Sequence, residues 1–393
     1  MDFKLTEEQT MFRDMFRDFA QKDVARLAEH MDKEERLSPE LLKKAAAQGL
    51  LGAIVPEELG GAALDPLSYA LMLEELGRVC LSTALTLAHH TSLVTQAVLD
   101  YGDESQKERW LPRLAEGSAF GAWALTEPDA GSDASLVSTR AARVASDTPS
   151  DGGEYVLDGV KSWVTNAGLP GLVLVIARTG EGAAGGLSAF VLEKDSPGLK
   201  LGQRELTLGL RAASIHTVYL DGVRVPEDAR LGAEGDGQRI AARVLDHFRL
   251  ALAAAGLGLA EAAVEAGVTF AAERVQFGGP IAHKQAIQNY IADASAQVEA
   301  LRYLVYHAAW QAEQGDGFGP AAVYTKLFAA RTARLVTNLM VQVHGGYGYI
   351  EDYPIARMYR NARALELVGG TDELMRVAIA ADLFKSHNVQ ISP

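Results

Sequence analysis

Trp163 and Thr165 stand two residues apart in the run Lys161-Ser162-Trp163-Val164-Thr165-Asn166. In an extended strand that spacing puts both on one face. An indole face can cover a flat ring, and a threonine hydroxyl can bond a ring nitrogen. A tryptophan in a sheet core gives the same pattern without a ligand. Upstream, Trp123-Ala124-Leu125-Thr126-Glu127-Pro128-Asp129-Ala130-Gly131-Ser132-Asp133 offers Gly and Ser, where backbone N–H groups can approach a polar ligand edge. A plain loop uses the same residues. Two later segments add a cation, an aromatic and glycines: Glu273-Arg274-Val275-Gln276-Phe277-Gly278 and Gln342-Val343-His344-Gly345-Gly346-Tyr347-Gly348-Tyr349. The second is a poor dinucleotide fingerprint, because a helix rather than a strand precedes it. A helix-end turn accounts for it without a ligand.

The elements that carry these segments follow from periodicity. Thr6-Glu7-Glu8-Gln9 has capping-box spacing ahead of an amphipathic run over 11–19, and Ser38-Pro39 marks a second helix start. Helical spacing recurs at 67–76, 93–99 and 105–114. From Phe120 the pattern changes to short runs rich in Val, Leu and aromatics, at 154–157, 162–165, 172–177, 187–192 and 215–220, with links such as 180–186. With no useful helix between them, these predict an antiparallel barrel or sandwich. Helix then returns at about 238–274, roughly 55 Å long, and at 283–314, 320–343 and 371–386, which predicts an antiparallel bundle. The fold class is α+β and multidomain: an N-terminal helical domain (1–119), a middle β domain (120–234) and a C-terminal four-helix bundle (235–393).

Composition narrows the function. A formal charge of −14 argues against a nucleic-acid or membrane-surface binder. The single cysteine, Cys80, cannot form an internal disulfide, and it suits a reducing compartment. The first ten residues are polar, unlike a secretory signal. The Ala-rich run 250–263 carries two glycines and reads as a buried helix rather than a membrane span. A cytoplasmic protein is expected.

Taken in order, the segments resemble the acyl-CoA dehydrogenase family from Leu5 to Phe384. The motifs are Pro56-Glu57-Glu58-Leu59-Gly60-Gly61, the run 125–133, and the segments 163–167, 274–278 and 342–349. The resemblance implies FAD as cofactor and an acyl-CoA as substrate. It also implies a homotetramer, or a heteromer with a Glu-containing paralogue, and an electron-transfer flavoprotein as electron acceptor. By the same resemblance, Trp123, Leu125 and Thr126 would line the flavin, and Trp163 and Thr165 would pack on and bond its ring. Ser132 would contact flavin phosphate or acyl-CoA. Arg274, Phe277, Gln342, Gly345, Gly346 and Thr371 would hold the dinucleotide, partly from a neighbouring subunit. Asp246 and Arg249 would lie beside the thioester arm. The implied reaction takes the α-proton to a carboxylate and the β-hydrogen as hydride to the flavin.

That carboxylate is missing. Most of the family has Glu directly before the Gly-Thr that opens the last helix, and here Gly369 precedes Gly370-Thr371. Other branches carry Glu before the arginine that matches Arg249, and here that residue is Phe248. Nearby Glu366 reads as structural. His90 matches a family histidine near the acyl end of the pocket and is the candidate base. The Gly369 N–H could still polarise a thioester oxygen. The expectation is therefore an acyl-CoA dehydrogenase-like flavoprotein with its usual base absent. A non-catalytic subunit of a heteromer, or a flavin enzyme of different chemistry, are the alternatives.

Overall fold

In the computed structural model, which describes residues 4–144, 153–180, 186–315 and 317–389, Thr6 caps the first helix as its spacing predicts. Its hydroxyl accepts from the Gln9 N–H, and the Gln9 side chain accepts from the Thr6 N–H. Ser38 likewise caps Pro39–Ala47. Helices Pro66–Val79 and Glu104–Ala115 match the periodic runs. The run expected at 93–99 belongs to a longer rod. Helix Leu81–Ala88 passes through a π-helical stretch, His89–Thr95, into Gln96–Tyr101.

Among the described residues the β domain holds eight strands: β1 (Phe120–Ala124), β2 (Arg140–Val144), β3 (Glu154–Thr165), β4 (Gly171–Arg178), β5 (Leu187–Glu193), β6 (Leu199–Arg204), β7 (Ile215–Pro226) and β8 (Arg230–Leu231). They form one sheet in the order β6-β7-β3-β2-β4-β5-β8, with β1 added against β4. Most pairs are antiparallel, as expected. The β1–β4 and β2–β4 pairs are parallel and make the sheet mixed. The two runs expected at 154–157 and 162–165 are one strand with irregular register against β7. Inward residues such as Tyr155, Leu157, Val173, Phe190 and Val218 form this domain's own core. The link at 180–186 lies largely outside the described residues.

Helix Gly237–Glu273 runs through the molecule and packs on helices Pro66–Val79, Gln285–Glu313 and Gly319–His344. It is long and apolar enough to cross a membrane, yet 67% of its apolar window is buried inside the fold. Its residues 250–260 are all buried, as a core helix requires. Gly258 permits the close crossing with Pro66–Val79, since a Cβ there would lie 1.9 Å from the Glu74 carbonyl oxygen. Beyond His344 comes a helix that periodicity did not suggest, Pro354–Leu365. Asp372–Ser386, capped by Thr371, follows it.

Candidate active site

A buried ion pair joins the two flavin-type segments of the β domain. Lys161 on β3 donates to Glu127 Oε1 at 2.7 Å and to the Leu125 carbonyl at 3.0 Å, and its side chain is fully buried. Glu127 also accepts from the Ser138 and Thr139 N–H groups and from the Ser138 hydroxyl. Burial alone would push the Glu127 carboxyl up, but Lys161, Ser138 and Thr139 outweigh it and hold it at about 2. Burial pushes the Lys161 amine down to about 8. The Ser162 N–H donates to the Thr126 carbonyl at 2.9 Å. Leu125 and Thr126 are thereby fixed beside Trp163.

Trp163 does not follow simple strand alternation. A register shift lies between Lys161 and Val164, and Trp163 has φ +55°. A bulky residue in that region is strained. Its side chain is 60% exposed, whereas Thr165 is buried. A strained, outward-facing indole beside a pinned loop makes a platform for a planar ligand. Trp123 sits half-buried on β1, and Ser132 lies exposed in the loop beyond.

A second group gathers near the middle of the long helix. Arg249 donates to Asp246 Oδ1 at 2.7 Å and, through Nε, to the Gly369 carbonyl at 3.2 Å. Buried Lys326 donates to the Gly370 carbonyl at 2.6 Å. Two cations therefore hold the Gly369-Gly370 turn. Among the described residues the Gly369 N–H has no partner. Phe248 is buried, and its ring faces the same turn: a Cβ built on Gly369 would lie 3.5 Å from Phe248 Cδ1 and 2.6 Å from Leu252 Cδ1. Positions 248 and 369 thus converge in space, with apolar carbon of Phe248 and Leu252 beside the Gly369 turn. Glu366 is held by Arg334 at 2.6 Å and by Arg363, which fixes it as structural.

His90 needs correction as the candidate base. Its Nδ1 accepts from the Gly121 N–H at 3.0 Å, so its one lone pair is occupied and Nε2 carries the proton. The groups beside it are Phe120 and the Leu51 and Leu114 carbonyls, not Phe248. The histidine that meets Phe248 is its neighbour His89, with ring centroids 4.4 Å apart.

The third group lies at the far end of the long helix. A pocket of about 450 Å³ is lined by Arg274, Gly345 and Gly346 with Phe270, His344 and Tyr347. The Arg274 guanidinium sits 5.2 Å over the Tyr347 ring. Gly345 has φ +60°, which leaves its backbone open to a ligand. Phe277 is outside this pocket, 92% exposed at φ +51°. Gln342 is exposed and also lies outside it. The Thr371 hydroxyl accepts from the Leu374 N–H as a helix cap.

A planar-ring platform, a cationic pocket with glycine-exposed backbone and a cation-braced turn fit a flavin dinucleotide and an acyl thioester. They define a flavin-dependent oxidoreductase with FAD as its cofactor. Family models agree along the chain. The acyl-CoA dehydrogenase N-terminal domain matches residues 6–118, the middle domain 122–223 and the C-terminal domain 235–384. The chain is 41% identical to an acyl-CoA dehydrogenase of Bacillus subtilis, over 96% of this chain and 98% of that one. It is also 41% identical to the acryloyl-CoA reductase (NADH) of Anaerotignum propionicum, over 98% and 96% respectively. The butyryl-CoA dehydrogenase structure from Megasphaera elsdenii superposes with a TM-score of 0.94 at 37% identity, covering 98% of this chain and all of that one. This chain belongs to the acyl-CoA dehydrogenase family.

Sequence reasoning missed the Lys161–Glu127 pair, the Lys326 contact and the orientation of His89. A lysine inside a β-run was the available signal for the first, and it is weak because lysines are mostly exposed.

Proposed function

We propose that the protein desaturates an acyl-CoA thioester between its α and β carbons. The observation that carries this reading is the braced turn, whose unpartnered Gly369 N–H lies beside Phe248 and the Asp246–Arg249 pair. In that reading the N–H donates to the thioester oxygen as negative charge develops there. Asp246 and Arg249 fix the turn and border the thioester arm. Thr126, Trp163 and Thr165 orient the flavin ring, and Arg274, Gly345 and Gly346 hold the phosphates of a dinucleotide. Bound FAD supplies the acceptor for the β-hydrogen, which leaves as hydride.

The Arg274 pocket lies 25 residues along the helix from Arg249, roughly 37 Å away. That separation supports a pocket serving a neighbouring subunit's flavin, and hence a homotetramer or a heteromer. An electron-transfer flavoprotein as acceptor and a cytoplasmic location belong to the same reading. The empty carboxylate positions favour one second reading, a binding subunit that works beside a Glu-containing paralogue.

Anaerobic titration with acyl-CoA thioesters, following the visible flavin absorbance, separates the two. Bleaching by one thioester is expected for the first reading. A band that shifts with every thioester but never bleaches would overturn it in favour of the second.

A further inference from the structure

We propose that His89 is the proton acceptor of this site, in place of the carboxylate missing at positions 248 and 369. The proposal rests on the acyl-thioester reading above and deepens it.

Position is the first argument. The Phe248 ring lies 4.4 Å from the His89 ring, edge to face, and its Cδ1 lies 3.5 Å from the Cβ position of Gly369. His89 therefore packs directly on Phe248, the residue that meets the Gly369 turn. Its backbone is tied to the flavin side of the molecule as well. His90, the next residue, accepts from the Gly121 N–H on β1, two residues before Trp123. Asn166, three residues after Trp163, donates to the Thr86 carbonyl at 2.9 Å and to the Gly121 carbonyl at 3.1 Å. The helix that carries His89 is thus tied to β1 and to the end of β3, while His89 itself meets Phe248.

The second argument is the tautomer. His89 Nδ1 lies 2.7 Å from the Leu85 carbonyl oxygen. A carbonyl can only accept, so Nδ1 carries the hydrogen and Nε2 holds a free lone pair. His90 has the opposite arrangement and no lone pair to offer. His247 packs on Phe318, and His344 bonds the Met340 carbonyl at the far end of the helix. Neither is paired with the Phe248 ring as His89 is.

The local fold supports the same role. His89 opens the π-helical stretch His89–Thr95, and such widened turns occur often at functional sites. Burial keeps the imidazole neutral and pushes it down to about 4, against the Leu85 carbonyl, which favours the charged form.

The step transfers one proton. The Cα–H bond breaks and its electron pair remains on the thioester as an enolate, held at oxygen by the Gly369 N–H. The proton goes to Nε2, and the imidazolium keeps its Nδ1 bond to Leu85.

The test is α-hydrogen exchange in D2O under anaerobic conditions. Butyryl-CoA, isobutyryl-CoA, octanoyl-CoA and palmitoyl-CoA serve as probes, and deuterium is read by mass in the recovered thioester. Binding is scored separately by the shift of the flavin band. His89→Asn keeps an amide donor for Leu85 and removes the Nε2 lone pair. The wild type is expected to exchange, and His89→Asn to bind with the same band shift while exchanging roughly 10²–10⁴-fold more slowly. His90→Asn, which keeps an acceptor for Gly121, should exchange like the wild type. Should His89→Asn fail to hold flavin, His89→Gln is read in the same way. Wild-type exchange in a flavin-bound His89 variant overturns the role of His89 and leaves the thioester reading standing. A wild type that shifts but never exchanges overturns the proposal in favour of a binding subunit. A wild type that neither shifts nor exchanges with any probe overturns both.

Discussion

Around Trp163 a buried lysine and a buried glutamate hold a loop beside a strained indole, and the loop presents side chains suited to a planar ring. Around Gly369 the turn is braced as firmly, by Arg249 on one carbonyl and Lys326 on the next, yet it presents no side chain at all. Both regions keep their supporting contacts, and only the first presents side chains from its loop. The difference shows that scaffold and chemistry separate cleanly here.

The comparison breaks if restoring the group restores nothing. The cleanest background is His89→Asn, where the proposed acceptor is gone. Adding Gly369→Glu there should return proton abstraction by roughly 10²–10⁴-fold. The structure sets a condition on that gain. Gly369 has φ +72°, a conformation that costs a side-chain-bearing residue about 1–2 kcal/mol. Its new Cβ would also meet Leu252 Cδ1 at 2.6 Å. Leu252→Ala opens that space, so Gly369→Glu with Leu252→Ala should exceed Gly369→Glu alone. α-Deuterium exchange per flavin-bound protein measures both. Equal, unrestored rates in the two would show that the turn is not the thioester site.

The other side of the comparison is tested by unpairing its ions. Lys161→Met leaves Glu127 buried with its cation gone, a change that costs about 3–5 kcal/mol. Flavin content should fall with it, because the Leu125 carbonyl loses its donor. Replacing both partners, Lys161→Met with Glu127→Gln, removes the stranded charge but keeps an acceptor for Ser138 and Thr139. Most of the thermal stability should return. Flavin affinity should stay low if Lys161 positions the loop, and recover if it serves only to neutralise Glu127.

How much of this was legible follows the same division. The helical, β and helical order could be read because periods of 3.6 and 2 survive in single sequences, and the Thr6 and Ser38 caps carry their own signatures. The expectation that positions 248 and 369 hold no carboxylate was read from Gly370-Thr371 and Arg249 as anchors, and their meeting in space was not legible. Features set by tertiary contact were not. The bulge that turns Trp163 outward has no residue signature, since Trp is a poor choice for positive φ. The π stretch at His89 reads as plain helix, and a shift of one residue there decides which histidine meets Phe248. Helix Pro354–Leu365 did carry a signal, its proline at the first turn.

That one-residue distinction yields the last and smallest effect. His89 and His90 are both fully buried in neutral form, and burial pushes each down to about 4. Unfolded, each titrates near 6.5. A folded value below the unfolded one means that their stability is fully present above about pH 6.5 and is lost as pH falls toward 4. Each should contribute about 3 kcal/mol to that loss. His90→Asn cannot titrate in this range. Its apparent Tm should therefore fall less between pH 7 and pH 4 than that of the wild type, and the two curves should converge toward the acid end. Because the His90 ring packs on Phe120 and the His89 ring on Phe248, the α-exchange rate of His90→Asn should be unaffected. Parallel Tm curves would mean that His90 is charged in the fold, and its lone pair would then not belong to Gly121.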